Sequence, residues 1–382
     1  MSLGRAGWAI FLAGLPFSPF LFRGLDLWHM QTAWAQAWTF ALFSLSLYRV
    51  QHIRIYENKP FAAWILWTGF WFLFTWYGFI AQSKVYPLGM LQGLFHCLVI
   101  VLFYMAFVRT WTFRTFETVL KAIAYSGLLI LLYCVVQLLN LDQFFHSIDK
   151  MDHSDVMVGT IGNPSHLGTH LALLVPVFAY HKGRFWTIAA LISGVLVVMS
   201  QSVGALLALC AGICWMIWFT SKKGSVVLFV IGITAFVWLL FFNKDYLNPH
   251  GRIEAWQYFW KIFSAPSGGK PVTGQGVGFI MEISKTVTSG PIFQWRHVHN
   301  EFFQLAIEQG LIGLGIMFWA LFDVWKKVFG LNKSREVICL STILIIFLVN
   351  CLVNFPAHLW VTGSFALMAY CGIYVLAGEE LR

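Results

Sequence analysis

Apolar runs close to the length of a bilayer-spanning helix recur along almost the whole of this chain, and they leave few folds open to it. A helical span takes roughly 20 residues. Candidates lie at Trp8–Leu21, Trp34–Leu47, Phe61–Ala81, Pro87–Val108, Leu120–Leu139, His166–Tyr180, Phe185–Ser200, Val203–Phe219, Ser225–Phe242, Asn300–Val324, Glu336–Val353 and Leu359–Ala377. With 59% hydrophobic and 11% charged residues, the chain carries more apolar surface than a soluble core would hide. The expected fold class is therefore an all-α polytopic membrane protein of about 12 transmembrane helices. A single integral membrane domain covers residues 1–382, with one large outer loop, 243–299, inside it.

Charge gives an independent check on that count. If both termini are cytoplasmic, alternate loops place Arg5, Arg49, Arg54, Lys59, Arg109, Arg114, Lys121, Lys182, Arg184, Lys222, Lys223, Lys326, Lys327, Lys333, Arg335 and Arg382 inside. The short outer loops hold only Arg23, Lys84 and Lys150, and the long loop is exempt from the bias by its length. The net charge of +9 is then mostly topology and calls for no nucleic acid. The first run holds Pro16 and Pro19 and reads as a retained span, not a cleaved signal. Seven cysteines lie in or beside the spans, so neither a disulfide framework nor a C-x-x-C metal site is expected.

Two outer segments stand apart from the bundle. Asp142–Ser165 carries Asp149, Asp152, Asp155, His146 and His153, whose spacing matches no compact metal-ligand set. It closes on Gly162-Asn163-Pro164, where Asn163 reads as a helix N-cap with Pro164 at the first helical position. In the long loop, Ile253, Trp256, Phe259, Trp260 and Phe263 recur at helical spacing, which predicts a short amphipathic helix along the outer membrane surface. Arg252 at its start offers a bidentate donor suited to phosphate oxygens, or it snorkels among headgroups. Gly274-Gln275-Gly276-Val277-Gly278 has no strand-turn-helix context for dinucleotide binding, and reads as a flexible turn back to the bundle.

The loop ends in Arg296-His297-Val298-His299-Asn300, at the mouth of the next hydrophobic helix. Charge and proton-carrying groups at a membrane boundary are costly unless used. At about 100° per residue, a helix starting at His297 would bring His297, Asn300, Glu301, Gln304 and Glu308 into one polar stripe. That predicts a cavity reaching in from the outer surface. His297 or His299 can serve as general base on a sugar hydroxyl, with neighbouring cations holding a phosphate leaving group. The competing reading is an interfacial histidine pair with an N-cap asparagine and a structural glutamate.

His299-Asn300, nine residues, then Gly310-Leu311-Ile312-Gly313 resembles the His-[Asn/Ser/Gln]-x9-Gly-x-x-Gly signature of the bacterial O-antigen ligase and Wzy-type polymerase superfamily. Gly162-Asn163-Pro164, Arg252-x-x-x-Trp256 and Gly276-Val277-Gly278-Phe279 are similar to further elements of that family, in the same order. The resemblance implies a GT-C-like, metal-independent, inverting glycosyltransferase without cofactor, working at the periplasmic face of the bacterial inner membrane. Its donor would be a glycan linked to undecaprenyl diphosphate, and its acceptor lipid A core or another glycan. By carry-over, His299 is the catalytic base and Arg252 binds the donor diphosphate. Arg296, His297, Asn300, Trp256 and Glu308 complete the expected substrate-binding set, and no metal ligands are expected. Ser202-Val203-Gly204-Ala205 departs from the family's Ser-Arg, and Leu314-Gly315 from the hydroxyl residues of some ligases. A ligase acting on lipid A core is the first reading, and a polymerase on the same carrier the second. A transporter is the alternative from another class, with no paired broken helices or inverted repeat in its favour.

Overall fold

The computed structural model describes residues 3–20, 27–47, 58–82, 88–142, 157–219, 221, 223, 252–264, 271–286 and 297–380. The expected span Ser225–Phe242, the histidines and most aspartates of the first outer segment, and Arg296 lie outside them. The described residues form an all-helical assembly of thirteen α-helices: α1 (Leu3–Gly14), α2 (Leu27–Leu47), α3 (Lys59–Gln82), α4 (Leu88–Thr110), α5 (Phe113–Leu138), α6 (Pro164–Tyr180), α7 (Arg184–Met199), α8 (Val203–Trp218), α9 (Arg252–Ser264), α10 (Phe279–Thr286), α11 (Glu301–Gly330), α12 (Arg335–Cys351) and α13 (Trp360–Glu380). Four are long and apolar enough to cross a bilayer, within α4, α5, α11 and α13, while α7 and α8 are shorter apolar helices. Leu66, Leu73, Leu132 and Phe322 are among many large apolar side chains left on the surface, as lipid contact requires.

Local chemistry sets the helix ends. The Asn163 side chain accepts from the amides of Ser165 and His166, with Pro164 following, as its sequence predicts. Thr112, Ser202, Asn300 and Ser334 cap α5, α8, α11 and α12 in the same manner. Small residues then let the inner helices approach. A methyl on Gly204 or Gly212, two turns apart on α8, would meet Val353 and Ile346 of the α12 region at 2.6 and 2.5 Å. With little hydrophobic drive between helices in lipid, such close backbone contact supplies the packing. Polar ties cross the same core, from Trp215 Nε1 to Ser341 Oγ at 2.8 Å and between His170 Nδ1 and the Val361 carbonyl at 3.2 Å.

The element that positions the site is α11, which is broken at Gly310 (φ 71°). A break within a candidate membrane span frees backbone groups that must find partners within the protein. Residues 271–276 provide them. Gln275 and Gly276 amides donate to the carbonyls of Ile307 and Glu308, and the amides of Leu311 and Ile312 donate to Pro271 and Val272. Trp67 of α3 donates its indole N–H to the Gln309 carbonyl at 3.1 Å. Gly274 (φ 83°) faces Gly310 so closely that a Cβ on either would collide with backbone of the other segment. The segment expected to be a flexible turn is thus a plug laid into a broken helix.

Candidate active site

Val298 is the keystone where the chain enters α11. Its amide donates to Gln304 Oε1 at 3.1 Å, and its carbonyl accepts from Trp256 Nε1 at 2.7 Å. Clamped on both sides, Val298 is fully buried with Ala255 and Phe259 of α9, Ile280 of α10 and Ile307 of α11. The α9 helix therefore packs Ala255 and Phe259 into protein, while Ile253 and Trp260 stay exposed. It does not rest its whole aromatic face on the membrane surface as its periodicity suggests. The helix α11 begins at Glu301, not at His297, and Asn300 is its cap. Between clamp and cap, His299 is forced into a left-handed conformation, φ 55°. Few non-glycine residues adopt it, and local strain of about 1–3 kcal/mol persists only where the surroundings hold it.

The two candidate bases are consequently placed differently. His297 is 6% exposed, stacked on Phe355 at 4.4 Å and against His358 at 4.5 Å. Burial first, then the neighbouring His358 and His299, holds its pKa well below the usual histidine value, and its Nδ1 has no partner among the described residues. His299 is partly exposed and meets the same Phe355 ring edge-on at 4.7 Å. His166, at the start of α6, approaches that ring from another element at 5.0 Å. Phe355 therefore gathers three histidines from two distant stretches of sequence.

Arg252 reaches the same turn from one helical turn before Trp256. Its Nη1 donates to the Val353 carbonyl at 2.8 Å, and Nη2 lies 3.5 Å from Asn354 Oδ1. Burial pulls its pKa down from the usual arginine value, though a guanidinium keeps its charge in proteins. Its Nε is buried without a hydrogen-bond partner among the described residues. An anion beside the turn is what that cation and orphaned donor suit. Position 203 places no cation there: Val203 begins α8 behind the Ser202 cap.

Below the clamp, the polar stripe is real but engaged with the protein. Asn300 accepts from the Phe303 amide and donates to the Leu352 carbonyl at 3.0 Å, latching α11 to the end of α12. Glu301 accepts from the Ala357 amide at 2.7 Å and pairs with His358 Nδ1 at 3.0 Å. Burial lowers the pKa of His358, but Glu301's charge and hydrogen bond, with Glu308's charge, outweigh it and hold the imidazole above its usual value. Gln304 bridges downward, its amide nitrogen 3.2 Å from His358 Nε2 and 3.3 Å from Glu308 Oε1. Glu308 in turn accepts from the Ile280 amide at 3.3 Å, capping α10 at its first turn. Glu308, expected among the substrate-binding residues, thus anchors α10.

Sequence reasoning singled out His297, His299, Asn300, Trp256 and Arg252, and the structure brings these together around Val298 and Phe355. It missed Phe355, His358, Asn354 and His166. The signal available for the first three was a polar, proline-bearing interruption, Asn354-Phe355-Pro356-Ala357-His358, between two apolar runs that alternation places on the side of His299. Among the described residues, no group of three or more His, Cys, Asp or Glu side chains is placed to hold a metal ion.

No curated protein matches the chain. The α7-to-α11 stretch that supplies Arg252, Trp256, the Val298 clamp, His299 and the Gly310 break, residues 188–318, matches the Wzy_C family model, described as O-antigen ligase.

Proposed function

We propose that this protein is an inverting GT-C-like membrane glycosyltransferase that moves glycan from undecaprenyl diphosphate to an acceptor sugar hydroxyl, with lipid A core as the acceptor. About twelve spans with both termini cytoplasmic would put the site at the periplasmic face. His299 takes the proton from the acceptor hydroxyl. The resulting oxygen attacks the anomeric carbon, the bond from that carbon to the diphosphate oxygen breaks, and the polyprenyl diphosphate leaves. Arg252 offsets the charge that develops on it. The diphosphate is already a good leaving group, so positioning and charge neutralisation are the protein's main contributions.

The observation that carries this reading is the unequal setting of the two histidines. His299 is presented from a strained backbone held by Gln304 and Trp256, with Arg252 entering the same turn. His297 is buried and held neutral, which suits it to supporting Phe355 and not to accepting a proton from substrate. Gln304 and Trp256 act through His299 as positioning residues.

Purified protein given lipid-linked glycan and a core acceptor tests the assignment. His299→Ala is expected to lower kcat at least about 10²-fold with donor binding retained, and Arg252→Ala to weaken donor binding, since one preorganised donor in such a site commonly accounts for about 10² to 10³ in rate. Normal transfer by folded His299→Ala would sink the base assignment. Product on the core acceptor supports ligation, whereas longer chains still on the carrier would replace it with polymerisation.

A further inference from the structure

At the opposite end of the bundle from His299, α5, α6 and α7 line an open polar cavity that glycan transfer does not use. Its volume is about 440 Å³, within the range of small-molecule sites. Glu117, Lys121 and Tyr125 line it from α5, with His181 and Lys182 from the α6–α7 turn and Trp186 from α7. The α5 residues are spaced four apart and so share one helix face. Tyr125 and Trp186 meet edge to face at 5.6 Å, joining α5 to α7 at the cavity wall, and Trp186 also lies 4.9 Å from His181.

Two features of this cavity point to a ligand with a phosphate and, beyond it, a hydrogen-bond donor. Lys121 and Lys182 supply cations on facing elements. Against them stand two acceptors. Glu117 is a carboxylate, and His181 directs one ring nitrogen at the Leu120 carbonyl, leaving Nε2 buried and without a partner among the described residues. A neutral imidazole held in that way accepts at Nε2. From the cavity, exposed apolar side chains continue along both helices, Leu129 and Leu132 on α5 and Ile188, Ile192 and Val195 on α7. The charge bias puts this end at the cytoplasmic leaflet, where basic pockets between helices meet lipid headgroups.

We propose that the cavity is a binding site for a glycerophospholipid, with its phosphate between Lys121 and Lys182, and an ethanolamine or glycerol headgroup donating to His181 and Glu117. The acyl chains follow the exposed apolar surface of α5 and α7. A choline headgroup, which has no donor, satisfies neither acceptor. The site is independent of the transfer chemistry at the other face.

Native mass spectrometry of the full chain, delipidated in detergent and titrated with phosphatidylethanolamine, phosphatidylglycerol or phosphatidylcholine, tests this directly. The first two are expected to bind at least about tenfold more tightly than the third, as one unmade buried hydrogen bond allows. Lys121→Gln with Lys182→Gln should weaken binding of both on the order of twentyfold. These side chains lie on the surface, so an unchanged thermal transition and unchanged glycan transfer are expected alongside. His181→Phe should erase the headgroup preference while leaving the lysine dependence. Equal binding of phosphatidylcholine, or undiminished binding by the double lysine variant, would overturn the proposal. Displacement of the lipid by inorganic phosphate alone would also overturn it, making the ligand a soluble anion.

Discussion

The two halves of α11 are one helix in sequence and two different materials in the structure. Above Gly310, residues Glu301, Gln304 and Glu308 are buried and carry the network that holds Val298, α10 and the Phe355–His358 turn. Below it, Leu311, Phe318, Trp319, Phe322 and Phe329 stand exposed. The half before the break thus serves as a polar scaffold surrounded by protein, while the half after it leaves its apolar side chains exposed. Polar side chains in a membrane are tolerable where protein surrounds them, and the plug of residues 271–276 makes that possible here.

The contrast stands or falls first on the glycine pair. Gly310→Ala or Gly274→Ala places a methyl against the backbone of the other segment at a positive φ. Neither backbone can yield without losing the hydrogen bonds across the break, so the expected loss is several kcal/mol. Thermal unfolding in detergent should show the variants largely unfolded or strongly destabilised. A variant with wild-type melting would mean that the plug does not hold the break.

Glu308 tests the scaffold alone, with a smaller expected effect. Glu308→Leu leaves the Ile280 amide and the Gln304 amide nitrogen short of an acceptor, which costs about 1–3 kcal/mol for each buried group left unpaired. Glu308→Gln keeps one acceptor oxygen and should recover part of that loss. If the leucine and glutamine variants melt together, the capping of α10 is not what Glu308 contributes.

Much of this division was invisible before the fold was known, for a physical reason. Apolar runs and helix caps are local, so the runs that became α4, α5, α11 and α13 and the Asn163 and Asn300 caps could be read from neighbouring residues. The polar stripe through Glu301, Gln304 and Glu308 was legible from its period. Its partners were not, because Ile280, Val298 and His358 are brought to it by three separate connections. Gly310 by itself offered no sign of a break, since it shares its apolar run with Gly313 and Gly315, which stay helical, and glycine inside a helical run is tolerated without one. The left-handed backbone of His299 likewise depends on clamps from Gln304 and from Trp256, 43 residues earlier in the chain.

Titration sharpens the contrast further, because His358, and His297 stacked against it, join the polar half of α11 through Glu301 and Gln304. His297, held below its usual value of about 6.5, remains neutral where the unfolded chain takes up a proton. Its contribution is therefore present above that value and is lost as pH falls below it. His358, held above the same value, contributes stability that is present at lower pH and lost as pH rises through its folded pKa. The paired losses predict greatest stability near pH 6.5, measured as the melting temperature across pH 5 to 9. His358→Gln should flatten the alkaline side and leave the acid side in place. An alkaline decline unchanged in that variant would remove the Glu301–His358 pair from the account.

The smallest effect is expected on the other side of the break. Phe322 is 70% exposed on the inner half, so its ring is packed mainly by whatever surrounds the protein. Replacing it with alanine removes apolar area that lipid or detergent covers in folded and unfolded helices alike. Substitutions away from packed or hydrogen-bonded features usually stay within about 0.5 kcal/mol, and the same is expected here. Phe259→Ala is the matched control, since that ring is fully buried against Val298 and Ile307, and truncating a buried phenylalanine costs about 3–5 kcal/mol. Equal losses from the two variants would mean that the inner half of α11 is covered by protein after all, and that its exposed aromatics mark an interface and not a lipid-facing surface.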